Sequence, residues 1–152
     1  PLIYKLFDGR QGLTDAVINY ELQQLIEQQA ACMKRHGRFK RILIEGALAG
    51  IELARNDEVM MSLLLHSSVD HLPALLLDSS QPAHAMTLGL WKPYFDRARE
   101  AGELATNISD DDLMEWLMSI QYLFLMREEV DLGRIRELLE IFVAPVFNAP
   151  RR

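Results

Sequence analysis

The stretch Ser109-Asp-Asp-Asp-Leu-Met-Glu-Trp-Leu-Met-Ser-Ile-Gln-Tyr-Leu-Phe-Leu-Met126 and its successor Asp131-Leu-Gly-Arg-Ile-Arg-Glu-Leu-Leu-Glu-Ile-Phe-Val-Ala-Pro-Val-Phe147 decide the fold class. In the first, Leu113, Leu117, Ile120 and Phe124 recur with the period of one helix face. Met114, Leu123, Leu125 and Met126 widen that stripe, and Trp116 lies beside it. In the second, Ile135, Leu139, Phe142 and Val146 form one stripe, widened by Leu132, Leu138, Ile141 and Val143. A helix packed on one side of a small domain needs an apolar stripe only about 100° wide. Both segments exceed that, so the surplus must be buried elsewhere. A second copy of the chain is the natural place. Ile120, Phe124, Ile135, Leu139, Phe142 and Val146 are the candidate dimer residues, with their face split between core and interface.

Upstream, the same period repeats between short breaks. Residues 1–7 read as the end of a helix, and Asp8 to Gly12 as a turn with two glycines. A long helix follows from Leu13 to about Met33. Lys34-Arg35-His36-Gly37-Arg38 closes it, with cations suited to the negative helix end and Gly37 suited to a C-cap. A third helix runs from roughly Phe39 to Arg55. Asn56-Asp57 starts a short one, Glu58 to Leu65. Ser67, Ser68 and Asp70 make a break before Leu72 to Leu77. Pro82, after Asp78-Ser79-Ser80-Gln81, fits the first turn of a helix that reaches about Glu100. Ala101-Gly102-Glu103-Leu104 ends that helix, and Asn107 to Asp110 cap the next. No stretch alternates as a strand does. The expectation is an all-α domain of about seven helices with short loops.

Composition narrows the function classes. The chain has 152 residues, and 16 cations against 22 acids give a net charge of −6. An acidic chain is a poor non-specific binder of nucleic acid. Cys32 is the single cysteine, so no disulfide framework exists within the chain, and a cytoplasmic location is expected. No apolar run approaches the ~20 residues of a membrane span, because Glu45 and Glu52 interrupt the best candidate, Ile42 to Ala54. No signal-peptide pattern is present. The opening Pro1, in place of Met, reads as a piece of something longer.

The search for catalytic motifs finds no phosphate-cradling glycine loop, no Gly-x-Ser-x-Gly elbow and no His-Glu-x-x-His. His36, His66, His71 and His84 are not spaced to share a helix face as zinc ligands. Asp110-Asp111-Asp112 read as first-turn carboxylates behind an N-cap Ser109 rather than a cation site. Cys32 has no paired histidine nearby and reads as inert. Lys34, Arg35, Arg38, Lys40 and Arg41 form the one cationic cluster and read as a solvated helix junction. Neither an enzyme nor a cofactor or metal is expected. Gly46 and Gly50, spaced Gly-x-x-x-Gly, imply tight helix packing, or else space for a ligand. The central helices carry Met60, Met61, His66, Met86, Trp91, Tyr94 and Phe95, followed by Trp116 and Tyr122. Such adaptable or amphipathic groups suit a pocket for an apolar ligand with a few polar handles. Met60, Met61, His66, Met86, Trp91, Tyr94, Phe95 and Trp116 are the candidate ligand-binding set. Plain core is the alternative for each.

Three stretches resemble the TetR family of bacterial transcription regulators. Leu2-Ile-Tyr-Lys-Leu-Phe-Asp-Gly-Arg-Gln-Gly-Leu-Thr-Asp-Ala-Val17 is similar to the family's passage from recognition helix to fourth helix. Ala98-Arg-Glu-Ala-Gly-Glu-Leu104, with Ser109-Asp110 and Glu115-Trp116-Leu117, resembles a turn and helix of its regulatory domain. Leu138-Leu-Glu-Ile-Phe-Val-Ala-Pro-Val-Phe147 resembles the end of its last helix. The resemblance implies that residues 1–11 are the remnant of a helix-turn-helix whose base-reading part lies upstream, with Tyr4, Lys5 and Arg10 at positions that touch DNA phosphates. It implies that residues 12–152 are an effector-binding and dimerisation domain whose last two helices pair with a second copy as a four-helix bundle. The implied function is a ligand-responsive regulator, in the repressor mode, that binds operator DNA as a homodimer. A small apolar or amphipathic effector would release it by shifting the helix from Leu13 to Met33. An all-α small-molecule carrier or scaffold dimer is the rival reading.

Overall fold

Asp8 and Gly9 set the first corner of the chain: both sit in the left-handed region, at φ 56° and 88°. Two such residues reverse the backbone without further help. The turn is therefore shorter than the expected span of Asp8 to Gly12, and Arg10 to Gly12 are already helical. Gly12 belongs there for steric reasons, since a Cβ on it would collide with the Phe7 carbonyl oxygen.

The computed structural model describes residues 2–67 and 71–147. Its helices are α1 (Leu2–Leu6), α2 (Gly9–Met33), α3 (Phe39–Asn56), α4 (Glu58–His66), α5 (His71–Leu77), α6 (Pro82–Glu100), α7 (Asp110–Met126) and α8 (Leu132–Leu138). A π turn, Leu139–Val143, then leads into α9 (Ala144–Phe147). No strand occurs among the described residues, so the chain is all-α. Of the break expected before α5, Ser68 and Asp70 lie outside the described residues. Among those described, no helix is long and apolar enough to cross a membrane.

Local chemistry sets most boundaries. Asp57, Ser109 and Asp131 each accept a hydrogen bond from the backbone N–H three residues on, the geometry of an N-cap. Pro82 occupies the first turn of α6. At the other end of α6, Glu103 N–H reaches the Ala98 carbonyl (2.8 Å) and Gly102 N–H the Arg99 carbonyl (3.1 Å). That is a Schellman closure, with Gly102 at φ 69°. Gly37 plays no such part: it does not take a positive φ, Lys34 is right-handed, and the N–H groups of Lys34, Arg35 and His36 bond back to Ala30, Cys32 and Met33. The cap of α3 comes from far away: Phe39 N–H donates to Glu103 Oε2 at 2.7 Å. The last segment departs from a regular helix. Pro145 offers no N–H to the carbonyl of Ile141 and crowds it. The turn before Pro145 widens to the π form.

Helix α3 is the centre of the bundle. It buries Phe39, Ile42, Leu43, Ile44, Ala47, Leu48, Ala49, Ile51 and Ala54, nearly its whole circumference, and packs against α2, α4, α6, α7 and α8. A helix apolar all round belongs in the middle of its neighbours. Gly46 admits Trp91 so closely that a Cβ would sit 2.7 Å from the indole ring. Trp91 stacks in turn on Phe95, which meets Phe39 edge-on. Arg55, near the end of α3, donates to the carbonyls of Phe124, Arg127 and Val130 at 2.6, 2.8 and 2.9 Å. Of these, the Phe124 and Arg127 carbonyls also accept the backbone N–H groups of Arg127 and Val130, so Arg55 adds a second bond to each and holds the α7–α8 loop against α3. Arg136 of α8 forks onto Glu45 of α3 and makes a second tie.

Candidate functional site

A partly open cavity lies between α2 and α7. Leu22, Leu25, Ile26 and Gln29 of α2 form one wall, and Met118, Gln121, Tyr122 and Leu125 of α7 the opposite one. Gly50, Ile51 and Ala54 of α3 make the floor, while Met60, Leu64, Leu76, Leu77 and Thr87 close the sides. The concave shape and the apolar lining suit a small apolar molecule. No Asp, Glu, Lys, Arg or His is among the described residues that line it. The polar groups are Gln29, Thr87, Gln121 and Tyr122. Gln29 is buried, and its Nε2 donates to the Gly46 carbonyl at 2.7 Å. The Thr87 hydroxyl donates to the Ala83 carbonyl at 2.8 Å.

Of the eight residues proposed as ligand-binding, this wall takes Met60; Tyr122, from the same amphipathic group, joins it. Met61 packs in the small core beside it with Leu64 and Leu72. Trp91 and Phe95 are fully buried in the main core, at 0% exposure. Tyr94 lies under the Arg97 guanidinium, whose carbon is 4.9 Å from the tyrosine ring centre, at a second hollow near Glu103. Met86 is half-buried on α6. His66 is exposed at the end of α4 and bonds to the Ser62 carbonyl. Trp116 is 51% exposed on the outer face of α7. Residue type alone does not give direction; helical position does.

A signal for the wall was present in the sequence. Leu22, Leu25, Ile26 and Gln29 stand at i, i+3, i+4 and i+7, and Met118, Gln121, Tyr122 and Leu125 repeat that spacing. Each is an apolar helix stripe interrupted by one glutamine, a neutral polar group where core would have an aliphatic one. Gly50 lies where the two stripes meet, so the second glycine of Gly-x-x-x-Gly serves the cavity and the first, Gly46, serves packing.

The candidate dimer residues divide. Ile120, Phe124, Ile135 and Leu139 are buried in the core of the chain itself, whereas Phe142 and Val146 are exposed. Ile141 stands out beside them, and Trp116, Leu123 and Met126 do so on α7. Tyr4, Lys5 and Arg10 are all exposed at the N-terminal end. The cationic cluster Lys34, Arg35, Arg38, Lys40 and Arg41 is solvated. Ser109 caps α7, and Asp110 is engaged by Arg99 and Lys92. Burial pushes the Asp110 carboxyl up, but those two cations outweigh it and hold it below the usual aspartate range. Two histidines pair with carboxylates: His84 with Asp111 at 3.1 Å and His71 with Asp15 at 2.8 Å. Neither imidazole is hydrogen-bonded to a Ser, Thr or Cys side chain among the described residues. Nor do three or more His, Cys, Asp or Glu residues gather there as a metal site.

Comparison with protein-family models, with curated proteins and with solved structures returns no match.

Proposed function

We propose that this chain is the sensing and dimerising part of a TetR-type transcriptional regulator, with residues 1–11 as the end of its DNA-binding unit. The observation that carries the reading is the cavity's position. One of its walls belongs to α2, the helix that leads directly back through the Asp8–Gly9 turn to α1. Tyr4, Lys5 and Arg10, which the resemblance places against operator phosphates, are exposed at that end. A small effector seated between α2 and α7 gains affinity from whichever setting of α2 fits it best, and by linkage changes the affinity for DNA by the same factor. Release of the operator by the effector is the repressor mode. The exposed apolar groups of α7 and of the C-terminal segment support the second half of the reading, an isologous pairing with a second copy into a four-helix bundle.

Light scattering on the purified chain at tens of micromolar tests the pairing. The mass of two chains is expected, and a monomer overturns it. The effector half is tested with N-phenyl-1-naphthylamine, a neutral apolar dye whose fluorescence rises on burial. Saturable enhancement that Leu25→Trp abolishes, with the circular-dichroism spectrum retained, supports the cavity. A carrier or scaffold dimer would share both results. It is distinguished by the natural protein's affinity for operator DNA: a regulator loses affinity when the cavity is filled, and a carrier has none to lose.

A further inference from the structure

The polar groups of the cavity converge on one point. A Cβ built on Gly50 would lie 2.6 Å from Gln121 Oε1 and 2.8 Å from Gln29 Nε2. Two carboxamides, one from α7 and one from α2, therefore meet over a bare backbone carbon of α3. Gln29 uses one N–H on the Gly46 carbonyl. Its second N–H and its carbonyl oxygen remain, as does the whole carboxamide of Gln121, which has no hydrogen-bond partner among the described side chains and backbone. The Thr87 hydroxyl already donates to its own helix. The rest of the wall, apart from the Tyr122 phenol, is hydrocarbon. These groups face the partly open cavity, and a ligand that takes the place of water there must pair them or forfeit their hydrogen bonds.

Charge decides the other half. A carboxylate or ammonium drawn into this wall would give up its hydration and meet no opposite charge. A neutral carbonyl meets donors at no such cost. We infer that the cavity selects an uncharged, mainly apolar molecule with one carbonyl-type end, an amide, ester or ketone, which is held by Gln29 and Gln121, and that it discriminates against the corresponding carboxylate. This inference rests on the reading of the cavity as a ligand site.

The test uses the whole chain loaded with N-phenyl-1-naphthylamine and displaced by decanamide or by decanoate, at a pH where the acid is ionised. Decanamide is expected to displace the dye at concentrations about tenfold lower than decanoate, the scale of one buried polar pairing. Gln121→Leu should close most of that gap by weakening decanamide, each competitor being read against the variant's own dye affinity. Gln121→Glu, of the same size, should weaken both competitors and decanoate the more; it keeps the test sharp should the leucine variant fold poorly. Equal displacement by the two competitors would overturn the selection for neutral ligands and leave the cavity standing as a ligand site, with an acid head at its mouth. An unchanged gap in both variants would overturn the assignment to the glutamines. Absence of dye binding to the parent chain would remove the ligand site itself, and the inference with it.

Discussion

Gly46 and Gly50 are one helical turn apart and face different neighbours, so the same substitution should act differently at each. At Gly46 a methyl meets the Trp91 ring at 2.7 Å and Met33 at 3.0 Å. The indole is rigid and fully buried, and Gly46→Ala is expected to cost about 1–3 kcal/mol by overpacking. At Gly50 a methyl meets only the ends of two glutamine side chains. Gln121, half-buried, can swing away, while Gln29 must shift against its bond to the Gly46 carbonyl; alanine offsets that cost with up to about 1 kcal/mol of helix propensity. Gly50→Ala should therefore hold stability within about 1 kcal/mol while it disturbs ligand binding. Urea denaturation of the two variants checks the contrast, and equal losses would contradict it.

Glu45 gives a pH-dependent case. Its hydrogen bond from Arg136, which outweighs partial burial, holds its carboxyl below the usual glutamate range. A carboxyl depressed on folding contributes stability that is fully present above its unfolded value and is lost as pH falls through its lower folded value. Glu45→Gln should leave a chain whose stability changes less over that acidic window. Arg136 is 42% exposed, so the effect is modest. Denaturant titrations across the acidic range measure it, and parallel pH profiles for the two chains would refute it.

At the scale of the elements, caps made an accurate guide because they act over three or four residues. Asp57 and Ser109 announced two helices, and Gly102 announced the end of α6; Asp131 caps α8 in the same way. Gly102→Ala is expected to cost about 1–2 kcal/mol, since its φ of 69° suits no side chain. A fall in thermal midpoint with an unchanged helical spectrum reports it. What escaped the sequence was set by distant partners or by one strong local exception. Glu103 caps α3 across 64 residues, and no pattern near Phe39 points to it. Gly37 looked like a cap, but it does not take a positive φ, and Lys34 ends α2 right-handed. Pro145 was visible, yet its remedy, a π turn, was one of several ways to accommodate it.

For the molecule as a whole, the all-α class and the order of its helices were legible because hydrophobic period survives any packing arrangement. The cavity was less so. Met and aromatic residues attracted the site reading, but the cavity's opposing walls are drawn largely from leucines, glutamines and isoleucine on α2 and α7. Which side of a helix faces a void depends on how several helices cross. The surplus of apolar surface was legible too, and part of it was absorbed internally: Ile120, Phe124, Ile135 and Leu139 belong to the core. Phe142, 66% exposed, is the largest unburied apolar group of the last segment. If the proposed pairing holds, Phe142→Glu should raise the dimer dissociation constant by more than about tenfold. Sedimentation at several concentrations, with helicity unchanged, shows it; an intact dimer would move the interface elsewhere.

The Arg55 clasp and the Arg136–Glu45 tie differ in what a proton can do to them. Arginine stays charged at every pH the fold will meet, and backbone carbonyls do not titrate. The clasp on Phe124, Arg127 and Val130 is therefore indifferent to acid, whereas the tie on Glu45 is not. Acid strong enough to protonate Glu45, below the usual glutamate range, should then loosen α8 at Arg136 while the α7–α8 corner stays pinned, like a strap unbuckled at one of its two fastenings. Amide exchange under such conditions should quicken along α8 and the π turn before it quickens at the last turn of α7. Arg55→Ala should erase that order.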